Sequence, residues 1–155
     1  MVLDPPAGAS FRCSVAPWLS VRNSARAVDS YKSAFGATEV HRLDGPEGSV
    51  VARLSVDGAE FWLSDESPEH RNFSPESLGG GSVRMILTVA DPDAVFVQAL
   101  AAGASRVYSV SEGHGWRVGR LLDPFGQHWE IGRLLAPRRS ATTRALEELH
   151  NREVT

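Results

Sequence analysis

The most constraining feature of this chain is that it carries one pattern twice. Trp18-Leu19-Ser20-Val21 lines up with Ile86-Leu87-Thr88-Val89, Phe35-Gly36-Ala37 with Ala102-Gly103-Ala104, and Gly58-Ala59-Glu60-Phe61-Trp62-Leu63 with Gly126-Gln127-His128-Trp129-Glu130-Ile131. A repeat of this length marks a supersecondary unit used twice. The local signals give its order. Residues 13–21 form a strand, Asn23 or Ser24 caps a helix to Phe35, and Val28, Tyr31 and Phe35 mark the buried stripe of that helix. Gly36 stops it. Strands follow over 38–43, 49–56 and 59–64, the last two joined by Asp57-Gly58, a strong hairpin signal. The second copy has a strand over 83–89, a helix opened by Asp91-Pro92 and closed at Gly103, and strands over 105–110, 116–122 and 127–134.

The expected fold is therefore α+β. It comprises two βαβββ modules, 11–66 and 82–135, whose sheets join into a curved half-barrel with helices outside and a cavity inside. Residues 1–10 are a flexible lead-in, 67–81 a polar linker loop ending in Gly79-Gly80-Gly81, and 136–155 a thinly apolar helical tail. Ser111 to Gly115 is a polar loop.

The chain has 155 residues and a net charge of −3, with its Lys and Arg scattered, which argues against a nucleic-acid partner. No run approaches the length of a membrane span. The N-terminus lacks the basic and apolar regions of a signal peptide. Cys13 is the single cysteine, so no internal disulfide forms, and a cytoplasmic location with Cys13 as a buried structural thiol is expected.

In the last hairpin, Asp123-Pro124-Phe125-Gly126 supplies the turn. Alternation then places His128 and Glu130 on one face, with Gln127, Trp129 and Ile131 on the other. By the same parity Trp18 and Trp62 face the cavity. His128 beside Glu130 suits a general base or a ligand to an ion, or a lining residue hydrogen-bonded to Glu130. His114, between two glycines, lies at the cavity mouth, and His41 on an outer strand is solvated.

The chain resembles the glyoxalase / bleomycin-resistance / extradiol-dioxygenase superfamily, the vicinal oxygen chelate proteins, and within it the PhnB-like branch. The carriers are Tyr31-Lys32-Ser33-Ala34-Phe35-Gly36-Ala37, Leu63-Ser64-Asp65-Glu66, and Asp123-Pro124-Phe125-Gly126 through Trp129-Glu130, over about residues 14–134. The resemblance implies four metal-ligand positions, one on the first and one on the last strand of each module. Here they hold Ala16, Trp62, Arg84 and Glu130, so no metal and no cofactor is expected, and Arg84 would pair with Glu130 across the cavity.

The resemblance leaves three functions open. The first is a small-molecule binding protein that sequesters a drug or metabolite, as in antibiotic resistance. The second is a metal-dependent lyase, isomerase or dioxygenase. The third is a non-catalytic scaffold or regulatory subunit. For the first, the ligand-binding residues are Trp18, Trp62, Arg84, His114, His128 and Glu130. Indole walls near Glu60, Asp65, Glu66 and Glu130 point to an aromatic or cationic guest. The superfamily's habit also implies a homodimer.

Overall fold

Asn23 stands where the chain turns from strand to helix, and its side chain accepts a hydrogen bond from the Arg26 amide at 3.1 Å. That cap starts α1 (Ser24–Phe35). Gly36, in the left-handed region at φ 66°, ends it and donates to the Lys32 carbonyl. The computed structural model describes residues 12–136. The lead-in expected over 1–10, and all but the first residue of the tail expected over 136–155, lie outside that range.

The first module contains β1 (Trp18–Val21), α1, β2 (Thr38–Asp44), β3 (Val50–Val56) and β4 (Ala59–Asp65). Its open sheet has the order β1-β4-β3-β2, with β1 parallel to β4 and the other pairs antiparallel. Helix α1 buries Ala27, Val28, Tyr31 and Ala34. The sheet buries Val50, Ala52, Leu54, Phe61 and Leu63, and the Tyr31 and Phe61 rings meet edge to face at 5.3 Å. Ser24 ties three elements together. Its amide donates to the Asp65 carboxylate, and its hydroxyl accepts from the Val50 amide, each at 2.8 Å. Asp57 and Gly58 both take positive φ, 48° and 87°, as a two-residue hairpin turn requires.

Three expectations need correction here. The first strand starts at Trp18, and Cys13 is exposed, because residues 13–17 lie outside the sheet. The stretch after Asp65 is a folded extension of the first module that includes a one-turn helix, α2 (Pro75–Leu78). Glu66 accepts hydrogen bonds from the Ser74 amide and the Ser77 hydroxyl, both at 2.8 Å. Arg22 donates to Ser77 and faces Glu66 at 3.6 Å and Glu76 at 3.7 Å. The compact units divide between Gly80 and Gly81.

The second module repeats the order with β5 (Arg84–Thr88), α3 (Pro92–Ala101), β6 (Ser105–Gly113), β7 (Trp116–Leu122) and β8 (His128–Leu134). The open sheet runs β5-β8-β7-β6, again with one parallel pair, β5 with β8. Asp91 caps α3 by accepting from the Ala94 amide, and Pro92 occupies its first turn. Phe96 and Ala99 pack on a sheet face that includes Met85, Leu87, Leu121, Trp129 and Ile131, all buried. Gly119 permits this approach, since a Cβ there would lie 2.7 Å from the Phe96 ring and 2.9 Å from the Val110 amide nitrogen. The third correction falls here. Residues 111–113 belong to β6, pairing with 116–118, and only His114 and Gly115 form the turn.

The α+β class and the two βαβββ modules are as the repeat predicts. Among the described residues no helix is long and apolar enough to cross a membrane.

Candidate functional site

In each sheet the face away from the helix is formed by residues that alternate with the core. On the first module this exposes Trp18 and Trp62, register partners on β1 and β4. Their rings stack at 5.3 Å with 16° between planes, and the Trp18 indole N–H donates to the Ser64 hydroxyl at 2.9 Å. The Arg53 guanidinium lies 5.4 Å from the Trp62 ring centre. His41 meets the same ring edge-on at 6.0 Å, so it is an aromatic neighbour as well as an exposed residue. Trp18 keeps 56% of its surface exposed, which leaves an indole face open for contact.

On the second module the corresponding face gathers charge. Glu130 on β8 is the hub. Its Oε1 accepts from Arg120 Nη2 at 2.8 Å and Nε at 3.3 Å, and from the Tyr108 hydroxyl at 3.4 Å. Arg84 Nε approaches the same oxygen at 3.3 Å. The Arg120 guanidinium also lies over the Tyr108 ring at 5.2 Å. Donating its hydrogen bonds to Glu130 raises the Arg120 pKa above the usual arginine value, against an opposing effect of desolvation. Arg84 and Glu130 do pair, but side by side on adjacent parallel strands, where Arg84 is level with His128 and Ile86 with Glu130.

Beside this cluster is a concavity of about 380 Å³ lined by Gly81, Ser82, Arg84, Ile86, Arg120 and His128. His128 does not hydrogen-bond Glu130. Its Nδ1 is buried and has no hydrogen-bond partner among the described residues. His114 is not brought to the cluster. It forms the turn before Trp116, at the end of β7 where Trp116 pairs with Leu134, whereas His128 pairs with Leu122 at the other end. Seven strand residues separate the two ends, a span of about 20 Å.

Arg120 and Tyr108 are site residues that the sequence reading missed. Arg120 was one residue out of reach: a turn on residues 123–126 counts Arg120 opposite Trp129, whereas Asp123 pairs with Gln127 around residues 124–126, and that register puts Arg120 directly opposite Glu130. Tyr108 was further out of reach, because the β6–β7 register shifts on either side of it.

The carboxylates that suggested a cationic guest are all engaged. Asp65 binds the Ser24 amide, Glu66 holds Ser74 and Ser77, Glu60 faces Arg53 at 3.5 Å, and Glu130 is held by two guanidiniums. A divalent metal fits these residues poorly. At the four positions where the resemblance implies metal ligands, Ala16, Trp62 and Arg84 offer no donor, and the one carboxylate, Glu130, is neutralised by arginines that would repel a cation. Among the described residues, no group of three or more His, Cys, Asp or Glu side chains is placed to hold a metal ion.

Known proteins agree with this architecture. A glyoxalase-like domain family model matches residues 18–132. An uncharacterized protein of Mycobacterium tuberculosis (strain ATCC 25618 / H37Rv) is 40% identical over 120 residues, covering 74% of this chain and 71% of its own length. Among solved structures, a gene product of Arabidopsis thaliana shares 30% identity at a TM-score of 0.61, with 77% of this chain and 98% of that one covered. A glyoxalase/bleomycin resistance protein from Streptomyces sp. CB03234, 21% identical, has a TM-score of 0.56 over 77% of this chain and 100% of its own, which is a likeness of fold. With its paired βαβββ modules and the family match across both of them, the chain belongs to the glyoxalase-like domain family of the vicinal oxygen chelate superfamily.

Proposed function

We propose that this protein binds a small organic molecule and sequesters it, as a drug- or metabolite-binding member of its family, without chemistry on a metal held by these residues. The observation that supports this most directly is the state of Glu130. A carboxylate flanked by cations is a poor ligand for a metal ion, because their charge opposes the metal's. Glu130 shares one oxygen among Arg84, Arg120 and Tyr108. What the modules offer a guest is contact and polarity. The first has an indole pair with an exposed outer face, and the second has a concavity with Ile86 as apolar wall and Arg84, Arg120 and His128 as polar groups. A few convergent polar groups beside apolar surface are the usual composition of a ligand site. The relative named as a glyoxalase/bleomycin resistance protein is compatible with this reading at the level of fold.

The test is a thermal-shift screen of small aromatic acids, neutral aromatics and aromatic amines, paired with elemental analysis of the dialysed protein. A ligand that binds only the folded state must raise the melting temperature. The expected result is stabilisation by at least one class, with a change in indole fluorescence and no stoichiometric metal. About one equivalent of Zn, Fe, Ni or Mn surviving dialysis, together with turnover that a chelator abolishes, would replace this reading with a metalloenzyme.

A further inference from the structure

We propose that the concavity of the second module is a carboxylate site, and that the ligand is a small organic monoanion held by Arg84 and Arg120 with its carbon body on Ile86. This rests on the small-molecule binding reading above and names the chemistry of the guest.

Three observations converge. The first is charge. Arg84 and Arg120 against Glu130 leave one net positive charge, and none of the lining residues is a carboxylate. One positive charge in a partly enclosed site suits a monoanion. The second is donor supply. Arg84 is ion-paired to Glu130, with Nε the nearest atom at 3.3 Å, and Arg120 donates to it through Nε and Nη2. Among the described residues, Nη1 and Nη2 of Arg84 and Nη1 of Arg120 donate no hydrogen bond. A guanidinium edge with two parallel N–H groups matches the two oxygens of a carboxylate. The third is apolar contact. Ile86 follows Arg84 on the same face of β5 and is 62% exposed, so a carbon skeleton attached to the anion would cover it.

Glu130 has a definite part in this arrangement. It holds Arg120 in place without itself lining the concavity, and it also competes with the guest for Arg84. Removing its charge should therefore strengthen anion binding rather than weaken it, the opposite of what a role in gripping a cation or a metal would give.

The experiment is isothermal titration calorimetry on the full chain with benzoate, its neutral counterpart benzamide, the cation benzylamine, and inorganic phosphate. Benzoate is expected to bind, at least about tenfold tighter than benzamide and tighter than phosphate, and to weaken as salt is raised. Arg84→Met should cut benzoate affinity about tenfold or more. Glu130→Gln should raise it about threefold or more. Arg106→Gln, off the lining surface, should leave it unchanged. Circular dichroism melting confirms that each variant is folded. Benzamide binding as well as benzoate, phosphate binding more tightly, an unchanged Arg84→Met, or a weakened Glu130→Gln would each overturn the carboxylate site. If benzoate gives no heat up to about 10 mM while benzylamine or a neutral aromatic stabilises the protein, the carboxylate assignment falls and the binding reading stands. If nothing in the screen stabilises it, both fall.

Discussion

Asp123 shows how much one side chain decides. Its Oδ1 accepts from the Phe125 and Gln127 amides at 2.9 Å each, and its Oδ2 accepts from the Trp129 indole N–H at 2.9 Å. The residue is buried, so each lost bond would strand a donor away from water. Asp123→Ala is expected to destabilise the protein by about 2–4 kcal/mol, read as a lower urea midpoint at unchanged slope. A change within about 0.5 kcal/mol would show that water replaces the carboxylate at little cost. Asp-Pro-Phe-Gly was legible as a turn because Pro and Gly act on their own backbone. The bond from Trp129 to Asp123 was not, since nothing in sequence spacing distinguishes an indole that merely fills a core from one that also donates. Parity did separate Trp129 and Ile131, which are buried, from His128 and Glu130, which are not.

Among elements, the segment after β4 is one whose anchoring should depend on pH. Hydrogen bonds from the Ser74 amide and from the Ser77 and Ser74 side chains lower the Glu66 pKa below its ordinary value, against desolvation. A carboxyl with a depressed pKa in the folded state contributes stability above its unfolded value, and that contribution is lost as pH falls through the folded value. Amide exchange of Ser74 and Ser77 should therefore accelerate on acidification below the ordinary glutamate range, beyond the intrinsic pH effect. Glu66→Gln should show the faster exchange already at neutral pH. Equal protection in the variant would place the anchoring elsewhere. This segment looked like a linker because its anchors are Glu66, Arg22, Ser74 and Ser77, and polar networks leave no apolar periodicity for the sequence to display. Helix α3 gives the opposite case, where one missing atom matters. Gly119→Ala would drive a methyl into Phe96 and the Val110 backbone, at an expected cost of about 1–3 kcal/mol in urea unfolding. A neutral Gly119→Ala would mean that α3 can lift from the sheet freely.

At the scale of the whole molecule, the repeat was readable down to its register. Aligning Trp18 with Ile86 and Trp62 with Glu130 predicts equivalent pairs, and the sheets contain Trp18 opposite Trp62 and Ile86 opposite Glu130. Equivalent positions thus carry different chemistry, indoles in one module and an ion-paired carboxylate beside Ile86 in the other. The same division leaves apolar side chains in water. Besides Trp18 and Ile86, which belong to the ligand surfaces above, Val83 and Leu134 are each more than half exposed, and among the described residues each sheet ends in two edge strands, β1 and β2 in the first module, β5 and β6 in the second. Exposed apolar surface and unpaired strand edges are what association covers. We therefore expect a homodimer. Sedimentation equilibrium at micromolar concentration should give twice the chain mass of 16.8 kDa, and Leu134→Glu, which places a charge on this surface outside the concavity, should shift the equilibrium toward monomer. A single species of one chain mass at every concentration would count against association.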